Sequence, residues 1–291
     1  MRPLVLIAMA VPLLLVAVLV SLRREPPRTK RDADVGPVVV PEFAGRLGNR
    51  VFQVFAAMRY ADLYGHRVVF CDKFICHNEK EEDSMEEVRR IFPSIPTVDD
   101  IGPYTEINYK DSPYEFKEFP SVATSVVMKG HFQNVRYIPQ SMQDRPPLQA
   151  KETQPHTYFI HVRAGDYLNN KTHFVDLRRY YKRCIHQIQQ RDTKATFLVF
   201  SDDNPRAEAM MREYDVPFRV SETKDTVDVL REMSSCSGAI CANSSFSWLG
   251  AFFQKGRTAI YMPSVWIAKK LEAHEKPIEG IYPPWATVME V

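Results

Sequence analysis

The chain has 291 residues, of which 45% are apolar and 25% are charged, so it can bury one large core or two smaller linked ones. Its 38 basic and 36 acidic residues leave a formal charge of +2, with no long basic run and no dense interleaving of aromatic and basic residues. This composition excludes a disordered chain and argues against a nucleic-acid partner. An anionic ligand therefore has to be bound by local groups.

An apolar run over residues 4–22 opens the chain and is interrupted only by Pro12 and Ser21. Its length predicts an N-terminal transmembrane helix at residues 1–22 that anchors the protein to a membrane, rather than a cleaved signal peptide. Residues 23–37 contain three prolines and mixed charge, which is typical of an extended stalk. More basic residues follow the run than precede it, which by itself favours a cytosolic body.

The first half of the remaining chain predicts a strand, a helix and a second strand. The β-branched residues 38–40 indicate a strand, and apolar residues from Val51 onward recur at the spacing of one helical face until Gly65. A glycine-bearing loop at residues 45–49 precedes this helix, and residues 67–71 indicate the next strand. Residues 72–120 show only short helices and loops.

A linker rich in proline and glutamine at about residues 143–155 suggests a domain boundary. We therefore expect an N-terminal Rossmann-like half at residues 38–150 and a C-terminal half at residues 151–291.

The second half alternates regularly between strands and helices, which predicts an open, mostly parallel sheet. The expected strands are residues 157–163, 196–200, 218–220, 238–242 and 258–262, and the expected helices are residues 177–190, 205–213, 226–236 and 245–254. In such sheets ligands bind beyond the carboxyl ends of the strands. Polar residues follow three of these ends, at residues 163–166, 201–203 and 243–245.

Two of these strand ends carry groups that suit a diphosphate. Arg163 offers a guanidinium that can donate two parallel hydrogen bonds to phosphate oxygens, although an ion pair with Asp166 would also explain it. Residues 243–248 leave a strand and open a helix, which makes an anion site, although an ordinary serine N-cap is the simpler explanation. Together the two sites favour a nucleotide-diphosphate ligand more than either does alone.

Other ligand classes do not fit the spacing. The phosphate-binding pattern with two glycines before Lys-Ser/Thr is absent, and Gly45 and Gly48 do not complete a dinucleotide-binding fingerprint, although Asp72 occupies a place where an acid binds ribose. An NAD-dependent enzyme thus stays a weak alternative. The adjacent Asp202 and Asp203 are not spaced to chelate a metal, so we expect no metal site.

The five cysteines form no Cys-x-x-Cys pair, which disfavours zinc binding and thioredoxin-like chemistry. An odd number leaves at least one cysteine without a partner in the chain. A disulfide between Cys71 and Cys76 is one open possibility.

From about residue 38 to about residue 285, the chain resembles glycosyltransferase family 11, the α-1,2-fucosyltransferases. Six segments carry the resemblance in the same order, namely residues 45–53, 130–134, 161–167, 200–203, 228–236 and 242–248. The resemblance implies an α/β fold of the GT-B kind, in which two Rossmann-like halves face a cleft, here preceded by the N-terminal transmembrane helix. It places residues 38–150 on the acceptor side and implies that residues 151–291 bind the nucleotide of the donor. It also implies an inverting, metal-independent transfer from GDP-β-L-fucose to a galactoside hydroxyl, with no cofactor. Since animal members are type II Golgi membrane proteins, it further implies a luminal catalytic body.

The resemblance also implies roles for individual residues. Arg163 would hold the donor diphosphate, and His161 and Asp228 would face the guanosine. The remaining expected donor-binding residues lie in two loops and are Gly48, Asn49, Asn243, Ser244 and Ser245.

Three positions depart from the family's usual pattern. Ala164 replaces a second arginine, Arg50 stands where glutamine is common, and Leu249 replaces a second tryptophan. Arg50 is a candidate to restore the missing charge across the cleft. The departures raise two rival functions, transfer to another acceptor such as a protein hydroxyl, and an inactive relative that only binds glycans.

An inverting transfer needs a base for the acceptor hydroxyl and stabilisation of the departing diphosphate. We expect Arg163 and the helix that opens at Ser245 to stabilise the diphosphate. Asp166 is the expected base, with Glu42 and His131 as alternatives.

Overall fold

The computed structural model describes residues 36–75, 83–111, 113–268 and 278–291. It corrects the predicted fold class: the described chain is an α/β fold with two parallel sheets, and no described helix is long and apolar enough to cross a membrane. The predicted transmembrane run at residues 4–22 lies outside the described residues, as does Cys76. Cys71, Cys184, Cys236 and Cys241 are buried free thiols.

The first sheet has four parallel strands in the order β2-β1-β4-β3. Its elements in chain order are β1 (Val38–Pro41), α1 (Leu47–Tyr64), β2 (Arg67–Val68), α2 (Asp83–Ile91), β3 (Tyr104–Asn108) and β4 (Ser125–Lys129). The strand expected at residues 67–71 is shorter than predicted, because the chain leaves the ladder after Val68. The sequence did not predict β3 or β4.

Helix α1 lies between the two sheets, which explains why it is apolar on most of its surface. Its residues Phe52 and Phe55 are fully buried, and their rings lie 4.9 Å from Trp248 and 5.6 Å from Phe252 in the second half. The helix ends at Gly65, whose φ of 71° is the left-handed conformation that glycine adopts without strain. One continuous apolar core therefore joins the halves.

A short helix α3 (Gln140–Asp144) precedes the second sheet, which has six parallel strands in the order β10-β9-β8-β5-β6-β7. Its elements are β5 (Gln154–Val162), α4 (Arg178–Arg191), β6 (Thr196–Ser201), α5 (Asn204–Arg212), β7 (Phe218–Val220), α6 (Thr226–Ser234), β8 (Cys236–Ile240), α7 (Ser245–Phe252), β9 (Ile260–Pro263) and β10 (Thr287–Met289). The predicted alternation is confirmed, with β8 two residues earlier than expected and β10 not predicted.

The central strand β5 shows why the strands of the second half could be predicted from the sequence. Its last five residues are all buried, as expected for a parallel strand covered on both faces. Because β5, β6 and β8 run parallel and adjacent, their carboxyl ends meet at one edge of the sheet. This edge lies opposite the carboxyl ends of β1 and β4 across a cleft.

Candidate active site

A cleft of about 1220 Å³ runs between the two halves and is lined mainly by the segments that follow strands. From the first half it takes the loop after β1 and the loop after β4. From the second half it takes the ends of β5, β6, β7 and β8 and the segment after β9. The cationic side chains lining it within the described residues are Arg46, Arg163 and Lys224.

Arg163 is held at the end of β5 by a carboxylate from the neighbouring strand end. Its Nη1 lies 2.5 Å from Oδ2 of Asp202, which follows β6. The other carboxylate oxygen of Asp202 accepts hydrogen bonds from the backbone N–H groups of Ala164 at 2.9 Å and Gly165 at 3.1 Å. Asp202 therefore fixes both the guanidinium and the backbone that carries it. Sequence reasoning located Asp202 at a strand end but missed this role.

The loop after Arg163 packs tightly against the same carboxylate. A side chain at Gly165 would collide with the carboxylate of Asp202, so glycine is required there. Tyr167 places its ring 5.0 Å from the guanidinium carbon of Arg163. Asp166 opens the short turn Asp166–Asn169, and its side chain lies outside the described part of the structure.

His161 lies two residues before Arg163 and lines the cleft while only 5% exposed. Burial, assisted by the charge of Arg163, lowers the pKa of its imidazole to about 3, so the ring is neutral at physiological pH. Its Nδ1 is buried without a hydrogen-bond partner, and Phe246 lies 5.8 Å away between ring centroids. A hydrogen bond from a ligand to Nδ1 would therefore break no bond within the protein.

The N-terminus of α7 forms the adjacent wall of the cleft. Ser244 is its N-cap residue and makes no side-chain capping bond. A helix N-terminus directs backbone N–H groups and a partial positive charge toward bound anions. Asn243 has another task, because its Nδ2 donates to the carbonyl groups of His173 at 2.8 Å and Trp266 at 3.0 Å and so ties two cleft-lining segments together.

The first half touches this wall directly. Oδ1 of Asn49 accepts hydrogen bonds from Ser245 Oγ at 3.0 Å and from Gln133 Nε2 at 2.6 Å. A Cβ at Gly48 would lie 2.5 Å from Ser245 Oγ and 2.8 Å from the backbone nitrogen of Phe246. Gly48 and Asn49 thus set the distance between the halves beside the helix N-terminus.

Two predicted residues do not reach the cleft. Asp228 lies on α6 and pairs with Arg231 at 2.6 Å and with Arg90 at 3.8 Å. Arg50 is fully buried and its Nε donates to the carbonyl of Gly45 at 2.8 Å, so the suggestion that it restores charge across the cleft is wrong.

The two alternative bases differ in environment. Burial alone would raise the pKa of Glu42, but ion pairs with Lys110 at 2.6 Å and Lys129 at 3.3 Å lower it, and the carboxylate does not line the cleft. His131 does line the cleft, and burial together with the charge of Lys110 lowers its pKa. Within the described ranges, no group of three or more His, Cys, Asp or Glu side chains could hold a metal ion.

Ligands of open parallel α/β sheets bind in the crevice beyond the carboxyl ends of the strands, which is where this cleft lies. The model of glycosyl transferase family 11 matches residues 145–287, in agreement with the resemblance seen in the sequence, and the protein is a glycosyltransferase.

Two curated relatives come from Escherichia coli. The chain is 29% identical over 278 residues to an alpha-1,2-colitosyltransferase, covering 80% of this chain and 93% of the relative. It is 32% identical over 120 residues to the O-antigen biosynthesis glycosyltransferase WbnK, covering 38% of this chain and 39% of that protein.

Solved structures give weaker likenesses. POFUT1 in complex with GDP-fucose superposes with a TM-score of 0.43 at 11% identity, covering 77% of this chain and 97% of that one. A FUT1 variant of Arabidopsis thaliana in complex with GDP gives a TM-score of 0.43 at 11% identity, covering 78% and 70%.

The relatives also correct the expected location. The placement as a type II Golgi membrane protein with a luminal body is wrong, because these curated relatives are bacterial glycosyltransferases. The described part of the chain contributes no helix that could span a membrane.

Proposed function

We propose that the protein transfers L-fucose from GDP-β-L-fucose to a hydroxyl group of a galactoside, with inversion at the anomeric carbon and without a metal ion. The observation that carries this proposal is the placement of Arg163, fixed by Asp202, beside the N-terminus of α7 in a cleft between two parallel sheets. Both groups bind anions, and their proximity suits the two phosphates of a nucleotide sugar.

The rest of the cleft supports a purine nucleoside next to these phosphates. His161 and Phe246 provide a buried neutral ring and an aromatic neighbour, and the segment after β7 contributes the polar side chains of Ser221 and Thr223. We assign donor binding to His161, Arg163, Ser244 and Ser245, with Gly48, Asn49 and Asn243 shaping the walls. Asp228 takes no part in this assignment, because its carboxylate is engaged with arginines outside the cleft.

In the proposed reaction the acceptor oxygen attacks the anomeric carbon as the bond to the diphosphate breaks. Negative charge then grows on the departing diphosphate, where Arg163 and the α7 N-terminus can stabilise it in place of a metal. The assignment of Asp166 as the base stays a prediction.

A second donor deserves testing because the relative that matches most of the chain is named an alpha-1,2-colitosyltransferase. Colitose is fucose without its 3-hydroxyl group, so a pocket large enough for fucose also has room for colitose. The discriminating feature would be a side chain that hydrogen-bonds the 3-hydroxyl, since a site built to bind a hydroxyl rejects the analogue that lacks it.

The test is a matrix of donors and acceptors with purified protein. GDP-fucose, GDP-colitose and GDP-mannose are each offered to a β-galactoside, a galactoside blocked at the 2-hydroxyl, and a folded protein with serine and threonine hydroxyls. We expect GDP-fucose with the unblocked galactoside to give product, with and without EDTA. Product only from GDP-colitose would change the donor, product on protein would change the acceptor, and loss of activity in EDTA that manganese restores would refute the metal-free mechanism.

A further inference from the structure

The loop that follows β4 has a strained backbone next to the cleft. Its residues 130–134 are Gly-His-Phe-Gln-Asn, and Phe132 has a φ of 51°, in the left-handed region that a bulky residue seldom adopts. The Phe132 side chain is only 1% exposed and packs among Tyr109, Phe119 and Tyr137. This packing compensates for the unfavourable backbone and fixes the loop.

The conformation turns the two neighbours of Phe132 toward the cleft. His131 and Gln133 both line it. Further hydrogen bonds hold the loop, since Gly130 O accepts from Gln53 Nε2 at 3.1 Å and Gln133 N donates to Pro113 O at 2.7 Å. The side chain of Gln133 is engaged with the first half itself, because its Nε2 donates to Oδ1 of Asn49 at 2.6 Å.

His131 is different, because its imidazole makes no such bond. Its Nδ1 is buried without a hydrogen-bond partner, while the residue as a whole is half-buried at the cleft wall. Burial and the nearby Lys110 both disfavour the charged form of the ring, which is therefore a neutral proton acceptor. The strained backbone of Phe132 therefore lies next to an imidazole whose Nδ1 has no protein partner, and strain of this kind clusters at functional sites.

The position of His131 also suits the acceptor. It lies in the first half, two residues from the Gln133 side chain that contacts Asn49, and Asn49 in turn contacts Ser245 at the helix N-terminus assigned to the diphosphate. Glu42, the other candidate from this half, is neutralised by two lysines and does not line the cleft.

We propose that His131 is the catalytic base that accepts the proton of the acceptor hydroxyl. As the acceptor oxygen forms its bond to the anomeric carbon, its proton passes to the imidazole and the bond between the sugar and the diphosphate breaks. The products are the glycoside, the nucleoside diphosphate and an imidazolium, which later returns its proton to water. This inference rests on the proposed function.

The test compares His131→Gln and His131→Ala with the wild type. His186→Gln is the matched control, because His186 is exposed on α4, where its ring lies 2.8 Å from Nε2 of Gln190. Initial rates are measured at saturating donor and acceptor, and GDP binding is measured by calorimetry. We expect kcat of His131→Gln to fall about 100-fold or more, with the Kd for GDP changed less than about threefold and the control unchanged. Added imidazole should restore part of the activity of His131→Ala and none to the wild type.

Two results would overturn the assignment. A kcat for His131→Gln within about threefold of the wild type would show that another group takes the proton, and an equal loss of kcat and GDP affinity would place His131 in donor binding or folding. If the proposed function itself is wrong, the wild type transfers no sugar in any combination of donor and acceptor. That result also refutes the assignment of a catalytic base, and it is distinguishable from a loss seen only in the His131 variants. A loss of kcat with intact GDP binding in Asp166→Asn but not in His131→Gln would return the role to Asp166.

Discussion

Replacing Asp202 with alanine should both destabilise the protein and weaken donor binding. The carboxylate accepts two backbone hydrogen bonds, from Ala164 at 2.9 Å and Gly165 at 3.1 Å, and pairs with Arg163 at 2.5 Å. Hydrogen bonds to a charged acceptor contribute about 1.5–3 kcal/mol each, and the low end applies here because water in the cleft can replace part of the loss. The ion pair adds at most about 1 kcal/mol, since both side chains keep contact with water.

The expected loss in the free energy of unfolding is therefore about 3–4 kcal/mol. Without the Asp202 carboxylate the Arg163 guanidinium loses its ion pair at the end of β5, so we also expect GDP to bind about tenfold more weakly or worse. Unfolding in denaturant, monitored by tryptophan fluorescence, measures the change in the free energy of unfolding. Calorimetry with GDP measures the change in its affinity.

Asp203→Ala is the matched control for this prediction. Asp203 is the next residue, caps α5 by accepting from the backbone nitrogen of Arg206 at 3.2 Å, and does not line the cleft. Its loss should cost about 1 kcal/mol, as for other helix caps, and leave GDP binding unchanged. Equal effects of the two substitutions on GDP affinity would refute the claim that Asp202 positions Arg163.

Three further substitutions have defined outcomes. Arg163→Ala should lower kcat/KM by about 30-fold or more, equivalent to at least about 2 kcal/mol, with the melting temperature nearly unchanged, since a partner of the diphosphate is lost. Gly48→Ala should destabilise the protein by about 1–3 kcal/mol, because its Cβ would lie 2.5 Å from Ser245 Oγ. Arg90→Ala should cost at most about 1 kcal/mol at pH 6, since the pair with Asp225 is partly exposed. The hydrogen bond from Arg90 lowers the pKa of Asp225 from 3.8 to about 2, so the contribution is complete above pH 3.8, and the difference between wild type and variant should vanish as the pH falls through about 2.

Gly48→Ala and Arg90→Ala each have a matched control. Gly256→Ala adds a methyl group with nothing within 4 Å and should leave stability unchanged or slightly higher. Arg212→Ala removes an exposed pair with Glu208 inside one helix and should cost no more than about 0.5 kcal/mol. A pH-independent difference for Arg90→Ala would mean that its packing, and not its charge, stabilises the contact between α2 and α6.

The sequence predicted the second sheet well because its central strands are continuous apolar runs between amphipathic helices. Two of the missed strands, β3 and β10, lack that signal. In β3 only Ile107 is buried, because the strand lies at the sheet edge, so its sequence shows neither alternation nor a continuous apolar run. Strand β10 is a three-residue edge strand whose assignment depends on pairing with β9, which no local pattern reveals.

The candidate site was predictable only in part, for a related reason. The rule that ligands bind at the carboxyl ends of parallel strands brought Arg163 and Ser245 to one cleft. The contacts that orient them join distant parts of the chain, as in the bond between Asn49 and Ser245, 196 positions apart. The roles of Asp202 and Asn49 therefore needed the three-dimensional structure.

The departure at Ala164 bears on how the cleft carries positive charge. Ala164 is 3% exposed and does not line the cleft, and its backbone nitrogen is held by Asp202. A larger side chain at this position would have to displace buried neighbours before it could approach a ligand, so alanine here is part of the packing that orients Arg163. Arg46 enters the same cleft from the first half. The charge of Arg46 on the opposite wall would neutralise a diphosphate only when the donor lies between the two halves. The departing diphosphate would then be stabilised only after the donor is completely bound.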